Sequence, residues 1–247
     1  MALLISLLNL SYPPLMVPMK KVAITGHTSG IGQSIYDALD MISAYSDDKA
    51  EIRGYSRSNG WNLAEANGNL LLEEIIDFDP DVFFNNAWHP GVQNHLCKKL
   101  HAKWKGTNKV IINTGSITGY VPHSILDEKN VYARDKNELS TYCILESFKY
   151  PYENSCRLIN FSWGFVETGL VNKDDVNREA LIDSLDVATV MIDQAERAFF
   201  KKDRWSQPEI VINSMYFSEE EQNKTFKAAA RSVAKHLIKT KKLERSV

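Results

Sequence analysis

Short runs of apolar, largely β-branched residues alternate along the chain with longer stretches in which apolar positions recur every three or four residues. The short runs lie at Lys21 to Thr25, Glu51 to Ser56, Val82 to Asn85, Val110 to Thr114, Arg157 to Ser162 and Ile210 to Ile212. Their length and their bounding turn residues predict strands. Between and after them, the spacing predicts helices over Ile31 to Tyr45, Leu70 to Asp77, Gly91 to Lys103, Val131 to Tyr150, Val187 to Phe200 and Glu219 to Lys241. A regular alternation of strand and helix is the pattern of βαβ units feeding a mostly parallel sheet. The expected fold is therefore α/β, a three-layer, doubly wound arrangement in a single domain, with no internal repeat.

Composition narrows the class without changing this picture. The chain has 247 residues, 44% hydrophobic and 24% charged, which suits an ordinary globular domain and excludes disordered or collagen-like classes. A net charge of −2, from 29 basic and 31 acidic residues, gives no global field for nucleic acid or an anionic membrane, so neither is expected as a partner. Cys97, Cys143 and Cys156 show no CxxC spacing; they read as structural thiols in a reducing, cytoplasmic setting, with no metal site. Ala2 to Leu10 is apolar but lacks a basic flank, is too short to span a membrane and runs into Pro13, Pro14 and Pro18. Residues 1–18 are accordingly expected to be a loosely attached leader, with the folded domain over 19–247. In the last predicted helix, Ser218 and Glu221 have capping-box spacing and Phe226, Ala229, Val233 and Leu237 form an apolar stripe. Lys227, Arg231, Lys235 and Lys239 read as its solvated face.

The first site signal is Thr25-Gly26-His27-Thr28-Ser29-Gly30-Ile31-Gly32, which follows a predicted strand and opens a predicted helix. Glycine permits positive φ and close approach of an anion, and the helix start offers unpaired N–H groups and a favourable dipole, so a phosphate-bearing ligand is expected there. The spacing is GxxxGxG rather than the commoner GxGxxG of dinucleotide folds. It resembles the TGxxxGIG element of the short-chain dehydrogenase/reductase family, and further motifs of that family follow in order as far as about Ile212. The resemblance implies a Rossmann-like fold and a nicotinamide dinucleotide held by Gly26, Thr28, Ser29, Gly30, Ile31 and Gly32.

Gly54-Tyr55-Ser56-Arg57-Ser58 follows the second strand, where enzymes of this fold distinguish a ribose hydroxyl from a 2′-phosphate. A carboxylate would repel the phosphate, whereas a guanidinium pairs with it. Arg57 is present and no acid lies between Ile52 and Gly60, so NADP(H) is expected in preference to NAD(H), with Arg53 as a competing phosphate partner. By resemblance, Asn62 falls at the adenine contact, and Asn85-Asn86-Ala87-Trp88 stands for the family's NNAG, placing Asn86 and Ala87 beside the cofactor and Trp88 where the family has glycine. Val166 and Thr168, in Ser162-Trp163-Gly164-Phe165-Val166-Glu167-Thr168, match the element that touches the nicotinamide carboxamide, with Trp163 in place of proline.

The predicted strand Ile111-Ile112-Asn113-Thr114 delivers Ser116 to the carboxyl edge of the sheet, and sixteen positions later come Tyr132 and Lys136, a YxxxK pair on one helical face. Hydride transfer to a carbonyl carbon needs a proton at the oxygen. Tyrosine can exchange one if its free pKa of about 10 is lowered by a nearby ammonium and an oxidised nicotinamide. The resemblance implies that Ser116 polarises the substrate oxygen, Tyr132 moves the proton, and Lys136 also holds the nicotinamide ribose. The family's further asparagine, which organises a relay water, has its nearest candidate in Asn94, with a capping or solvent-facing role as the alternative. His123 lies in the loop expected to shape the substrate site, and the family's substrate loop, Gly169 to Asp186, is short and polar.

Together these features predict an NADP(H)-dependent oxidoreductase acting on a small carbonyl or alcohol substrate without a metal. The resemblance adds a homodimer or homotetramer. Two other readings remain open: a nucleotide-sugar isomerase or lyase that retains its cofactor, which would usually show TGxxGxxG, and a non-catalytic NADP(H) sensor.

Overall fold

The computed structural model describes residues 19–46, 49–65, 68–120, 130–147, 155–168, 181–200 and 209–212. Six strands, β1 (Lys21–Thr25), β2 (Glu51–Tyr55), β3 (Val82–Asn85), β4 (Val110–Thr114), β5 (Arg157–Trp163) and β6 (Glu209–Ile212), alternate with five helices among these residues. The helices are α1 (Gly30–Ala44), α2 (Asn69–Phe78), α3 (Val92–Lys103), α4 (Val131–Ser147) and α5 (Ser184–Phe200). The leader, His123, residues 169–180 of the predicted substrate loop and the predicted helix over Glu219 to Lys241 lie outside the described residues.

The strand order is β2-β1-β3-β4-β5-β6 and every pairing is parallel. The chain steps outward from β1 to β2, returns across β1 to β3, and then proceeds in the other direction. That reversal opens a crevice between the carboxyl ends of β1 and β3, where open α/β sheets hold their ligands. Both faces of the sheet are covered, which explains why its central strands read as continuous apolar runs. Val22, Ile24, Phe84, Ile112 and Phe161 pack with residues of α1 and α5, whereas Ala23, Phe83, Ile111 and Leu158 pack with α2, α3 and α4. Met19 is buried in the first of these cores, and the three cysteines are buried and unpaired. Among the described residues no helix is long and apolar enough to cross a membrane, and no group of three or more His, Cys, Asp or Glu could hold a metal ion.

Strand ends match the sequence pattern to within a residue, and helix starts move where local capping decides them. α5 begins at Ser184, three positions before the predicted Val187, because Asp183 caps it: its Oδ1 accepts the Leu185 N–H at 2.6 Å and its carbonyl accepts the Val187 N–H at 3.1 Å. Asn130 does the same for α4, accepting the Ala133 N–H at 3.1 Å.

The apolar face beneath α3 and α4 is crossed by a row of polar side chains in register, Asn85, Asn113, Asn160 and Glu209. Burying polar groups costs stability, and hydrogen bonds offset that cost. Asn85 Nδ2 donates to Asn113 Oδ1 at 2.8 Å and to the Gln93 carbonyl at 2.9 Å, and Asn160 Nδ2 donates to Glu209 Oε2 at 2.7 Å. Burial holds the Glu209 carboxyl above its ordinary pKa. Replacing Asn85 with leucine removes the amide while leaving Asn113 Oδ1 buried without this donor. Asn85→Leu is expected to lower stability by about 1–3 kcal/mol in urea unfolding, and an unchanged midpoint would show that the row carries no net stability.

Candidate active site

The glycine turn begins where β1 ends. Gly26 and Gly30 have φ of +72° and +54°, values that favour glycine, and a Cβ on Gly32 would stand 2.2 Å from the Gly26 carbonyl oxygen. These two constraints account for the motif: its first two glycines turn the chain, and its third lets α1 start directly against that turn. Ser29, the N-cap of α1, makes no side-chain cap bond, so its exposed hydroxyl and that of Thr28 leave the first turn of the helix uncapped. A Cβ on Gly30 would lie 3.1 Å from Thr168 Cγ2, which places the threonine after β5 over this same turn. Val166 is anchored by a parallel bridge to Ile182. Turn, helix start and overlying loop together fit a dinucleotide diphosphate.

β2 ends beside the turn, with the Gly26 N–H donating to the Tyr55 carbonyl at 2.7 Å. Gly54 has no Cβ because the His27 ring fills that space, 2.1 Å from where one would stand. Arg57 then opens a single 3-10 turn fixed by Asn59, whose Oδ1 accepts the Ser56 N–H at 2.9 Å and whose Nδ2 donates to the Gly54 carbonyl at 2.7 Å. The Arg57 side chain is exposed and makes no hydrogen bond or ion pair among the described residues. Arg53, the competing phosphate partner, is committed elsewhere: it pairs with Glu51 and Glu74 and lies 4.1 Å from the Phe78 ring centroid. Asn62 turns into its own loop, donating to Glu65 Oε1 at 3.0 Å and accepting the Ala64 N–H at 3.2 Å.

Asn86 ties three strand ends together. Its N–H and that of Ala87 donate to Thr25 Oγ1 at 2.9 and 3.0 Å, its Nδ2 donates to the Thr25 carbonyl at 3.1 Å, and its Oδ1 accepts the Thr114 hydroxyl at 3.0 Å. Thr114 passes the connection on, since its carbonyl accepts Lys136 Nζ at 2.6 Å.

Around that second centre stand Ser116, Tyr132 and Lys136. Thr118 donates to Ser116 Oγ through both its N–H, at 3.3 Å, and its hydroxyl, at 2.9 Å, leaving the serine proton to point outward. The Ser116 side chain is also the one group that draws the Tyr132 phenol pKa down, while burial pushes it up further. Lys136 Nζ lies 5.3 Å from the Tyr132 ring centroid. The phenol is thus raised by burial and not lowered by Lys136 as the sequence led one to expect; burial also brings the amine down to about 7, with Asp135 opposing. α4 buries Asp135 and Lys136 side by side, a cost that points to a role in chemistry.

On the helix before the serine strand it is Gln93, not Asn94, whose side chain contacts Lys136. Asn94 does not reach Lys136; it is buried between α3 and α4, with Nδ2 donating to the Asp135 carbonyl at 3.1 Å and to Glu138 at 3.2 Å. It is not solvent-facing either. Its neighbour Gln93 reaches the amine instead, accepting Lys136 Nζ at 2.8 Å. The segment between Pro90 and Lys109 is short, so an offset of one residue was undecidable from spacing. Trp88 was seen only as added bulk, yet its ring meets Tyr132 edge-to-face at 5.0 Å and its indole N–H donates to Asp135 Oδ2 at 3.2 Å, beside the Gly91 N–H at 2.8 Å.

No family model matches the chain, and no curated protein matches it by sequence. Solved structures do match. A 3-alpha-hydroxysteroid dehydrogenase from a Pseudomonas species, complexed with NADH, superposes with a TM-score of 0.59 at 15% identity over 78% of this chain and 95% of that one. A 4-hydroxyisoleucine dehydrogenase complexed with NADH gives 0.57 at 16% identity over 79% and 97%. A short-chain dehydrogenase from Burkholderia cenocepacia in complex with NADP gives 0.56 at 18% identity over 79% and 96%.

The fold is that of the short-chain dehydrogenases and reductases.

Within the short-chain dehydrogenase fold, the crevice between β1 and β3 carries the glycine turn, and β4 with α4 carries the serine, tyrosine and lysine. The turn has no room for a side chain at Gly32. Gly32→Ala is expected to cost about 1–3 kcal/mol of stability through overpacking and to weaken nicotinamide nucleotide binding as the turn is displaced. Denaturant unfolding and nucleotide titration check both, and a variant that binds as wild type would remove Gly32 from the cradle.

Proposed function

We propose that the chain is a short-chain oxidoreductase that uses NADP(H) to interconvert a small carbonyl compound and its alcohol. The observation that carries this reading is the placement of the Tyr132 phenol at the carboxyl end of the sheet, with the buried Lys136 amine 5.3 Å from its ring centroid and the Ser116 side chain near enough to draw its pKa down. Two hydroxyls so placed can meet on one substrate oxygen. Ser116, its own oxygen already held by Thr118, donates to that oxygen and polarises the carbonyl. Tyr132, whose buried phenol stays protonated near neutrality, delivers the proton, a direction that suits carbonyl reduction. The nicotinamide, when bound, supplies the hydride.

Several features support the cofactor reading. The dinucleotide would be held by Gly26, Thr28, Ser29, Gly30, Ile31 and Gly32 at the diphosphate, by Asn86 and Ala87 beside the crevice, and by Val166 and Thr168 after β5. Exposed, uncommitted Arg57 beyond the end of β2 favours a 2′-phosphate, and the pairing of Arg53 with Glu51 and Glu74 counts against its rival. Asn62, whose amide is used within its own loop, would contribute to adenine by its placement alone.

Tyr132→Phe is expected to keep nucleotide affinity and lower kcat by about 10²–10⁴-fold, the range lost with a general acid; undiminished NADPH-dependent reduction across a carbonyl panel would refute the assignment. A charge-assisted bond to phosphate is worth about 1.5–3 kcal/mol. Arg57→Ala should therefore weaken NADPH roughly 10- to 100-fold while barely affecting NADH, and equal weakening of the two nucleotides would count against the phosphate contact.

A further inference from the structure

Trp88 is 36% exposed, yet it is not loose. A single surface tryptophan needs no explanation by itself; what marks this one is how it is held. Its main chain leaves β3 through Ala87, whose N–H donates to Thr25 Oγ1 at 3.0 Å. Its indole N–H donates at 3.2 Å to Oδ2 of the buried Asp135, which also accepts the Gly91 N–H at 2.8 Å. Its ring meets the Tyr132 ring edge-to-face, with centroids 5.0 Å apart and planes at 80°. Among the described residues it is the one exposed large apolar side chain whose ring meets the phenol. Indole has a single polar atom, a donor, and Asp135 takes it. The surface that Trp88 leaves open beside Tyr132 is therefore hydrocarbon, flat and held in one orientation.

We propose that Trp88 is a specificity-determining residue of this site: its indole is the wall that receives a flat, apolar substituent, so the preferred substrates are carbonyl compounds with an aryl or conjugated group on one side. A carbonyl oxygen held by Ser116 and Tyr132 sets the carbon that bears it next to this wall, and one of the two groups on that carbon lies against the indole. A planar group covers a flat, rigid surface fully, whereas a puckered or branched one touches it at a few atoms. A polar group there would lose hydrogen bonds to water and regain none. Because the indole is already ordered, binding does not have to immobilise it. The inference rests on the oxidoreductase reading above and adds the substrate class to it.

The test compares benzaldehyde with cyclohexanecarbaldehyde, which have the same carbon skeleton but a flat and a puckered ring. Their intrinsic reactivities differ, so the quantity that decides is the ratio of their kcat/KM values in NADPH-dependent reduction, wild type against variant. In Trp88→Leu, which removes the flat surface, the ratio should fall roughly 2- to 10-fold, the size of an aromatic pair's contribution. Trp88→Phe, which keeps a ring, should retain most of the preference. General damage to the fold would lower both rates together, and an unchanged ratio in Trp88→Leu overturns the inference.

A second measurement needs neither turnover nor the leucine variant. The chain contains five tryptophans; with 5-fluorotryptophan at each, the Trp88 fluorine resonance is assigned by its absence in Trp88→Phe. Titrating the NADPH complex with benzamide, which carries an aryl carbonyl but is not reduced, should shift that resonance, and cyclohexanecarboxamide should shift it less. Equal shifts from the two amides, a resonance that moves with NADPH alone, or one that does not move at all overturns the inference. A benzamide-selective shift in a chain that reduces no carbonyl sustains the wall and counts against the oxidoreductase reading alone.

Discussion

Parallel strands end in carbonyls and loops that nothing in the sheet itself fixes relative to one another, and here one half-buried amide does that work. Asn86 bonds to both the hydroxyl and the carbonyl of Thr25, at the end of β1, and to the hydroxyl of Thr114, at the end of β4. The glycine turn grows from the first of these partners, and the carbonyl that receives Lys136 belongs to the second. The two halves of the site, a cradle for an anion and a phenol with its amine, are therefore held in one frame by a few bonds of about 3 Å. Gly32 obeys the same constraint, because a side chain there would strike both the Gly26 carbonyl and Asn86 Nδ2.

Burial then sets the chemistry. Removing a group from water disfavours its charged form, so the phenol of Tyr132 moves up and the amine of Lys136 moves down. With no ligand present, the site near neutrality holds a protonated phenol and an amine that titrates. In the proposed reaction Tyr132 would therefore begin as the proton donor, and an ionised phenol would depend on charge brought by a bound partner.

Much of this was legible in the sequence because it is local. Strand and helix periods, the glycines of the turn and the i, i+4 relation of Tyr132 and Lys136 are short-range facts, and the structure brings Tyr132 and Lys136 together with Ser116 as the spacing predicts. The surroundings of Arg53 were not local: they include Glu74, twenty-one positions away, and the Phe78 ring under the guanidinium. The pairing of Gln93 with Lys136 spans forty-three positions. On a helix, neighbouring residues point about 100° apart, so a reading that singled out Asn94 from its place before the serine strand missed that its neighbour Gln93 faces the lysine.

The departures from the family pattern belong to one connected unit. The loop between β3 and α3 is short, so its end must be fixed close to α4, and Asp135 fixes it by accepting both the Gly91 N–H and the Trp88 indole N–H. That contact sets the indole against the Tyr132 ring, where a glycine would leave open space. It also starts α3 at a point that turns Gln93 inward to the amine and Asn94 toward the Asp135 carbonyl and Glu138. Asp135, which lies between the two residues of the YxxxK pair and has no role in that motif, is thus the group through which Trp88 and α3 are set around the phenol and the amine. A change at Asp135 alone would take the acceptor from both the Gly91 N–H and the Trp88 indole N–H and so loosen the contact that sets α3 and the indole around the phenol and the amine.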